Sequence, residues 1–165
     1  MSVQKAFTKE QCAEAAKICE KVFPSKYFVT ENNLERKLIN DADFCPEASL
    51  CICDKDTGKM LGFIGTKISH NRELYPDTAW LSVLAVDKNE QRKGYGSALV
   101  KAASDRLALL GVKNIIVGED FVNFFSGIPE PDEAKTDFFR SLGFWVGDGN
   151  HYDLEADIVN NPKIE

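Results

Sequence analysis

The feature that most constrains the fold is a strand, a glycine-containing turn and a long helix in direct succession. Thr78–Val86 is apolar at nearly every position, as in a strand that is covered on both faces. Residues 94–110 carry apolar side chains at helical spacing, and Gly111 follows them directly. Residues 112–117 then predict another strand. Strand, helix and strand of these lengths form a βαβ crossover, so we predict that the two strands are parallel.

The segments before this crossover predict two helices and a hairpin. Thr8 and Gln11 form a capping box ahead of a first helix, and Thr30 is suited to cap a short second helix. The apolar runs 48–53 and 60–68 flank a polar, glycine-containing turn. We therefore predict that these two runs form an antiparallel hairpin.

The segment after the crossover predicts a fourth helix and a closing pair of strands. The helix begins near Asp132 and ends at Gly143, and residues 144–146 and 152–158 form the pair. The prediction is an α/β fold of layered α+β type, with a central mixed, mostly antiparallel sheet of six to seven strands and about four helices. Because no repeat or linker divides the chain, we expect a single domain over residues 1–165.

Composition and charge exclude several classes of protein. The chain has 165 residues, of which 20 are basic, 26 are acidic and 44% are hydrophobic, so it can form a core without disulfides. The net charge of −6 argues against a nucleic-acid-binding protein. The longest uncharged runs have nine residues, whereas a membrane-spanning helix needs about 20. Charges near the amino terminus argue against a secretion signal, so we expect a cytoplasmic protein without a membrane partner.

The five cysteines indicate reduced core residues rather than a metal site. Their number is odd, and most lie within apolar patterns of helix or strand. Cys51 and Cys53 share one strand face, but the chain has only two histidines, so four zinc ligands are hard to assemble. We expect no metal.

Acidic residues are concentrated in the last third of the chain. Residues 118–165 contain eleven acidic and three basic side chains. Such a balance favours a cationic partner such as an amine, although a solvated acidic surface is the simpler interpretation. The aromatic loop 123–131 in this region would suit a ligand with an apolar face, or would pack under the sheet.

The turn between the apolar strand and the long helix predicts a phosphate-binding site. Its sequence is Gln91-Arg92-Lys93-Gly94-Tyr95-Gly96-Ser97. The glycines allow close approach of the backbone, and the first amides of a helix can donate to an anion. The spacing excludes a phosphate loop of Gly-x-x-x-x-Gly-Lys-Ser/Thr type. It disfavours a dinucleotide site, because Leu99 stands where a third glycine is required.

A strand ending in Leu84-Ala85-Val86, followed by Gln91 and the Gly94-Tyr95-Gly96 turn, resembles the acetyl-coenzyme A binding motif of the GNAT superfamily of N-acetyltransferases. The resemblance covers nearly the whole chain and implies a GNAT fold and an acetyl-CoA-dependent acyltransferase. It implies strand backbone pairing with the pantetheine arm and turn amides on the pyrophosphate. The cofactor-binding residues implied are Leu84, Ala85, Val86, Gln91, Arg92, Lys93, Gly94, Tyr95, Gly96, Ser97 and Phe139.

Two familiar catalytic residues of the superfamily have no counterpart here. Trp80 stands at the position of a strand glutamate that acts as a base in the histone-modifying branch. Phe139 stands where many members have a tyrosine that protonates the leaving thiolate, and it would instead pack against the pantetheine arm.

Other residues must then remove the proton of the acceptor amine. For a lysine-like amine at pH 7 this removal costs roughly 4.6 kcal/mol, so a base is expected. We predict Asp120, with Glu119 beside it, at the carboxyl end of the strand after the crossover. Tyr152 is a candidate to reach the sulfur or the acceptor. The simpler interpretations are turn residues for the two acids and core packing for the tyrosine.

The resemblance implies acetyl transfer from acetyl-CoA to a primary amine by direct attack in a ternary complex. The charge pattern further predicts that the acceptor is small and cationic, such as an amino sugar or a polyamine. One alternative is a non-catalytic or regulatory domain that binds acetyl-CoA, which the two missing catalytic residues motivate. The other is a protein or peptide N-acetyltransferase. The expected partner is a small-molecule amine without nucleic acid, and a homodimer is compatible with this interpretation.

Overall fold

A computed structural model describes residues 2–70, 73–130 and 132–147. The elements in chain order are β1 (Ser2–Ala6), α1 (Cys12–Val22), α2 (Glu31–Leu34), β2 (Leu50–Asp54), β3 (Met60–Ile68), β4 (Thr78–Val86), α3 (Tyr95–Leu109), β5 (Asn114–Val117) and α4 (Glu133–Ser141). A short 3-10 turn, Lys9–Gln11, leads into α1, and a π-helical segment, Glu35–Ile39, continues α2.

The five described strands form one sheet in the order β1-β2-β3-β4-β5. All neighbouring strands are antiparallel except β4 and β5, which are parallel. This arrangement confirms the predicted hairpin, the parallel crossover and the mixed, mostly antiparallel sheet. The described residues contain five strands rather than the six to seven that were predicted.

The two ends of the chain account for this difference. β1 was not predicted, because all five of its residues are exposed and its sequence shows no apolar alternation. Its pairing with β2 depends on backbone hydrogen bonds, which leave no mark on side-chain pattern. The predicted strand at residues 144–146 is wrong, since these residues have no regular structure. Its predicted partner at 152–158 lies outside the described residues.

Local signals place the helix ends where the sequence predicts them. Gln11 Oε1 accepts a hydrogen bond of 2.8 Å from the Thr8 amide, as a capping box requires. Thr30 Oγ1 accepts one of 3.3 Å from the Asn33 amide at the start of α2. Gly111, with φ of 86°, follows the end of α3 in the left-handed conformation that favours glycine.

Apolar clusters on the two faces of the sheet form the core. One joins α1 and α2 to side chains such as Phe7 and Phe63, and the other joins α3 and α4 to side chains such as Leu50 and Ile64. All five cysteines are buried and free, as predicted. Burial raises the pKa of Cys12 to about 11, so its thiol stays protonated at neutral pH. The described helices include none with the length and hydropathy needed to span a membrane.

The two parallel strands β4 and β5 separate halfway along β4. Their last register pair is Leu81 with Val117, and the Gly118 amide then donates to the Leu81 carbonyl at 2.9 Å. At the same level β4 has a bulge, because Val83 and Leu81 face consecutive residues of β3 and Ser82 faces none. Beyond Leu81, β4 pairs within the described residues with β3 alone.

Candidate active site

A cavity of about 620 Å³ lies along the half of β4 that β5 does not cover. Residues 81–86 form one wall, and the turn before α3 with the first residues of that helix forms a second. The third wall comes from Val117, residues 127–130 and α4. The separation of β4 and β5 therefore opens the sheet directly beside the glycine turn.

Gly94 shapes the turn through its backbone conformation. Its φ of 84° lies in the left-handed region, and a Cβ added there would have no heavy atom within 4 Å. The residue therefore borders open space. The first intrahelical hydrogen bond at the start of α3 runs from the Ala98 amide to the Gly94 carbonyl, at 3.0 Å. The amides of residues 95–97 precede it and are the donors that a helix start leaves without an intrahelical acceptor.

Gly96 has a different role from Gly94. A Cβ on Gly96 would lie 3.3 Å from Cζ of Phe138, which is tighter than an ordinary contact. The absent side chain therefore lets α4 approach the start of α3. Phe139, the next residue of α4, is 8% exposed and lines the cavity. Its ring centroid lies 5.0 Å from that of Phe138 and 5.6 Å from that of Phe144, both in edge contacts.

Ten of the eleven predicted cofactor-binding residues line this cavity. They are Leu84, Ala85, Val86, Gln91, Arg92, Gly94, Tyr95, Gly96, Ser97 and Phe139. Lys93 is not among the lining residues. Its Nζ lies 2.9 Å from Glu90 Oε2, and this hydrogen bond raises the pKa of Lys93.

Asp120 lies at the carboxyl end of β5, as predicted, but in a buried ion cluster. It is 2% exposed, and Lys67 Nζ donates to its Oδ1 at 2.6 Å. The same ammonium lies 3.2 Å from Asp41 Oδ2. Asp120 Oδ2 is buried and has no hydrogen-bond partner within the described residues. Asp120 does not line the 620 Å³ cavity.

The other two predicted catalytic residues lie apart from that cavity or outside the described chain. Glu119 is exposed, has φ of 61° and donates its amide to the Phe125 carbonyl at 2.9 Å. Tyr152 lies outside the described residues. Trp80, at the position of the superfamily's strand glutamate, is 1% exposed and packs edge-on against Tyr75 and Phe121.

Ser82 is a site residue that the sequence interpretation missed. It lies in the β4 bulge, lines the cavity and is 1% exposed. Its Oγ has no hydrogen-bond partner within the described residues. A buried hydroxyl without a partner costs about 1 to 3 kcal/mol, so Ser82 is a candidate to contact a polar group in the cavity. Its polarity within an otherwise apolar stretch of β4 was the one available signal.

A second cavity of about 370 Å³ adjoins the first. Its walls are residues 26–28, the α2 and π-helical residues Asn33, Arg36 and Lys37, and the loop residues 123–126. Phe125 lines both cavities. No group of metal-binding side chains occurs in the parts of the chain that the structure describes.

Comparison with solved structures finds the same fold in acetyltransferases. The Escherichia coli ribosomal-protein-S18-alanine N-acetyltransferase has a TM-score of 0.65 and 21% identity, covering 87% of this chain and 77% of that one. An aminoglycoside acetyltransferase from an uncultured soil metagenomic sample, solved with trehalose, has a TM-score of 0.65 and 19% identity, with coverage of 94% and 97%. AAC(6')-Iy, solved with the bisubstrate analogue CoA-S-monomethyl-acetylneamine, has a TM-score of 0.68 and 11% identity, with coverage of 95% and 99%.

Comparison at the level of sequence gives one family. Among curated proteins no significant match is found. The model of the acetyltransferase (GNAT) family matches residues 16–144, which is most of the chain. This protein therefore belongs to the GNAT family of acetyltransferases, and it is an acyltransferase.

Proposed function

We propose that this protein transfers an acetyl group from acetyl-CoA to a primary amine of a small acceptor, by direct attack in a ternary complex within one catalytic domain. The observation that carries the proposal is the cavity along the open half of β4, which ends at the amino terminus of α3. Such a cavity offers a strand edge for an extended arm and helix amides for an anion.

The walls of this cavity fit the parts of acetyl-CoA. The amides of residues 95–97 and the side chain of Arg92 suit the pyrophosphate, because both offer positive charge next to open space. The edge of β4 over residues 82–86 has no strand partner within the described residues, so its backbone groups are available to the pantetheine arm. Phe139 adds an apolar surface on the opposite wall.

Ser82 is proposed to donate its hydroxyl to the acyl end of the substrate. It lies where β4 and β5 separate, and Oγ has no other acceptor within the described residues. A donor held in a buried site stabilises negative charge on oxygen or sulfur more effectively than one in water. This assignment would also provide the partner that the buried hydroxyl lacks.

For proton removal from the amine, Asp120 remains the proposed base, with Glu119 as a further candidate, and Tyr152 remains a candidate to reach the sulfur or the acceptor. Support for Asp120 comes from its second carboxylate oxygen, Oδ2, which accepts no hydrogen bond from any described residue. Lys67 holds Oδ1 and thereby fixes the orientation of the carboxylate. Because Asp120 does not line the 620 Å³ cavity, proton transfer would proceed through an intervening group such as a water.

The acceptor predicted from charge alone was cationic, with amino sugars and polyamines as examples. The described part of the acidic third has six acidic residues, and four of them form ion pairs with lysine or arginine. These pairs lessen the charge available to a ligand, so the amine itself, rather than overall positive charge, is the feature that we propose for the acceptor.

The test is the release of free thiol from acetyl-CoA in the presence of amines, amino sugars, polyamines and peptides, with thermal stability followed alongside. We expect release with a small primary amine and stabilisation by acetyl-CoA. Stabilisation without release from any acceptor would favour the non-catalytic alternative. Release with peptides alone would favour the protein N-acetyltransferase alternative.

A further inference from the structure

Positive charge is concentrated around the 370 Å³ cavity. Its walls include Lys26, Arg36 and Lys37, and no aspartate or glutamate lines it within the described residues. This composition differs from that of the 620 Å³ cavity, whose walls contain Glu90, Glu130 and Asp132 as well as basic residues. The two adjoining cavities are therefore suited to different chemical groups.

Two of the three cations have no acidic partner within the described residues. Lys26 Nζ lies 2.8 Å from Glu130 Oε1. Arg36 donates to Asn33 Oδ1 at 3.3 Å, and Lys37 Nζ donates to the Asn123 carbonyl at 2.8 Å. Among the described residues, no carboxylate lies within ion-pair distance of Arg36 or Lys37. Neutral oxygens orient these two cations without cancelling their charge.

The environment of Lys37 disfavours the charged form of its side chain. Burial lowers the pKa of Lys37, and the charges of Arg36 and Lys67 lower it further, against an opposing effect of Asp120. The charged form of Lys37 is therefore destabilised by its surroundings. An anion bound beside it would relieve this repulsion, and Arg36 offers a planar fork that matches carboxylate or phosphate oxygens.

Phe125 lines both this cavity and the proposed acyl-transfer site. Its ring packs against Phe23 and Tyr27, with centroid distances of 4.7 and 5.2 Å. Its carbonyl accepts from the amide of Glu119, the second residue after β5. The loop that carries Phe125 is thus held at the end of β5, where β4 and β5 separate, so both cavities border the same residue near the point where the sheet opens.

We propose that the 370 Å³ cavity binds an anionic group of the acceptor, so that the substrates are primary amines that also carry a carboxylate or a phosphate. This inference rests on the proposed function, because it assigns the second half of the same acceptor molecule. The acceptor is then a molecule with charges of both signs rather than one with a net positive charge. Its amine faces the 620 Å³ cavity, and its anionic group contacts Arg36 and Lys37.

Matched pairs of acceptors test this assignment. Glucosamine 6-phosphate is compared with glucosamine, and β-alanine is compared with β-alaninamide, by the rate of thiol release from acetyl-CoA. We expect kcat/KM to be about tenfold or more higher for the anionic member of at least one pair, which corresponds to about 1.4 kcal/mol. The pair that responds distinguishes phosphate from carboxylate.

Substitutions in the cavity wall locate the preference. Arg36→Gln and Lys37→Gln are expected to bring the ratio of kcat/KM within the responding pair towards one, mainly through the KM of the anionic member. Lys37→Arg keeps the charge and should retain most of the preference. This variant therefore separates the effect of the charge from the effect of the bond between Lys37 and Asn123. Lys55→Gln is the control, because this exposed lysine lines neither cavity and its change in charge is the same.

Three results separate this inference from the proposed function. Thiol release with no preference for the anionic member of either pair overturns the inference and leaves the proposed function intact. A preference that persists in both Arg36→Gln and Lys37→Gln also overturns it. Absence of thiol release with every amine contradicts the proposed function itself, together with the inference that rests on it.

Discussion

The two halves of β4 have similar apolar sequences but different surroundings. Residues 78–81 pair with β3 on one side and with β5 on the other, and Trp80 is almost fully buried there. Residues 83–86 pair within the described chain with β3 alone, and the free edge of residues 82–86 lines the 620 Å³ cavity. The first half belongs to the core, and the second half forms a wall of the candidate active site.

Gly118 shows why the two halves differ. Its φ is 68°, and a Cβ there would lie 2.6 Å from both the Phe125 carbonyl oxygen and the Gly127 nitrogen. Only glycine allows the chain to turn and pack this closely, so β5 ends after four residues. The early end of an edge strand, rather than any property of β4 itself, converts half of a core strand into a binding surface.

The largest effect is expected from Lys67→Met beside the paired half. Lys67 is opposite Trp80 in the sheet, and the substitution would leave the carboxylates of Asp120 and Asp41 without their buried partner. We expect the free energy of unfolding at pH 7 to fall by about 3 to 5 kcal/mol, measured by urea denaturation. The double variant with Asp120→Asn should recover part of this loss. A decrease below about 1 kcal/mol would contradict the buried ion cluster.

Gly94→Val tests the open half, where binding rather than stability should change. The left-handed turn would be strained, and the amides of residues 95–97 would no longer be presented to the pyrophosphate. We expect the affinity for coenzyme A, measured by calorimetry, to fall roughly 1,000-fold, or about 4 kcal/mol. Gly111→Val is the control, since it has nearly the same φ at the other end of α3. Equal losses of affinity in both variants would argue against the proposed cradle.

Asp120→Asn tests the role of a carboxylate at the level where the two halves of β4 meet. If Asp120 is the base, turnover should fall about 100-fold at pH 7, and the loss should shrink as the pH approaches the pKa of the amine. The measurement is the pH profile of kcat. Asp41→Asn removes the other carboxylate partner of Lys67 and serves as the control. A loss that is independent of pH and equal in both variants would assign Asp120 to the ion cluster alone.

Ser82→Ala should separate catalysis from stability at the same boundary. We expect kcat to fall about tenfold, or about 1.4 kcal/mol, while the free energy of unfolding stays the same or rises, because a buried hydroxyl without a partner is removed. Ser49→Ala is the control, since Ser49 Oγ accepts from the Thr66 amide at 2.9 Å and should lose stability without loss of kcat. The reverse pattern would show that Ser82 has only a structural role.

The smallest effect is expected at Asp87, where the open half of β4 ends. Its Oδ1 accepts from the Asn89 amide at 3.0 Å, and this bond holds the pKa of Asp87 below its usual value. A group whose pKa is lowered in the folded state stabilises the fold at any pH above its pKa in the unfolded state, which is about 3.9. That contribution is lost as the pH falls through the pKa of the folded state. Asp87→Asn should therefore cost about 1 kcal/mol in urea denaturation at pH 7 and progressively less below pH 4. A cost that does not depend on pH would contradict this.

Much of the fold could be predicted because its signals are local. Periodicity and caps predicted α1, α3 and α4 to within a few residues, and the bounds predicted for β4 agree with those in the structure. The glycine turn between β4 and α3 was identified from its sequence, and ten of the eleven residues that the family resemblance implies for cofactor binding line one cavity. Their binding of acetyl-CoA stays a prediction.

Residues that act through distant partners could not be predicted. Asp120 was predicted, beside Glu119, as a carboxylate at the end of a strand, whereas its partner Lys67 lies 53 residues away in the sequence. Lys37 and its acceptor Asn123 are 86 residues apart. Ser82 became a candidate only when the register of β3 and β4 showed a bulge. None of these contacts follows from spacing along the chain.

The sequence by itself determined the family, most of the elements in their order and the turn that borders the 620 Å³ cavity, because caps, glycine turns and apolar periodicity depend on neighbours a few residues apart. The tertiary structure alone decided where the sheet opens, which carboxylates are already paired and that a basic cavity adjoins one whose walls carry both signs of charge. Those outcomes depend on where β5 stops and on which charges from separate segments come within a few ångströms of each other, since burial and Coulomb energy are set by distance in space.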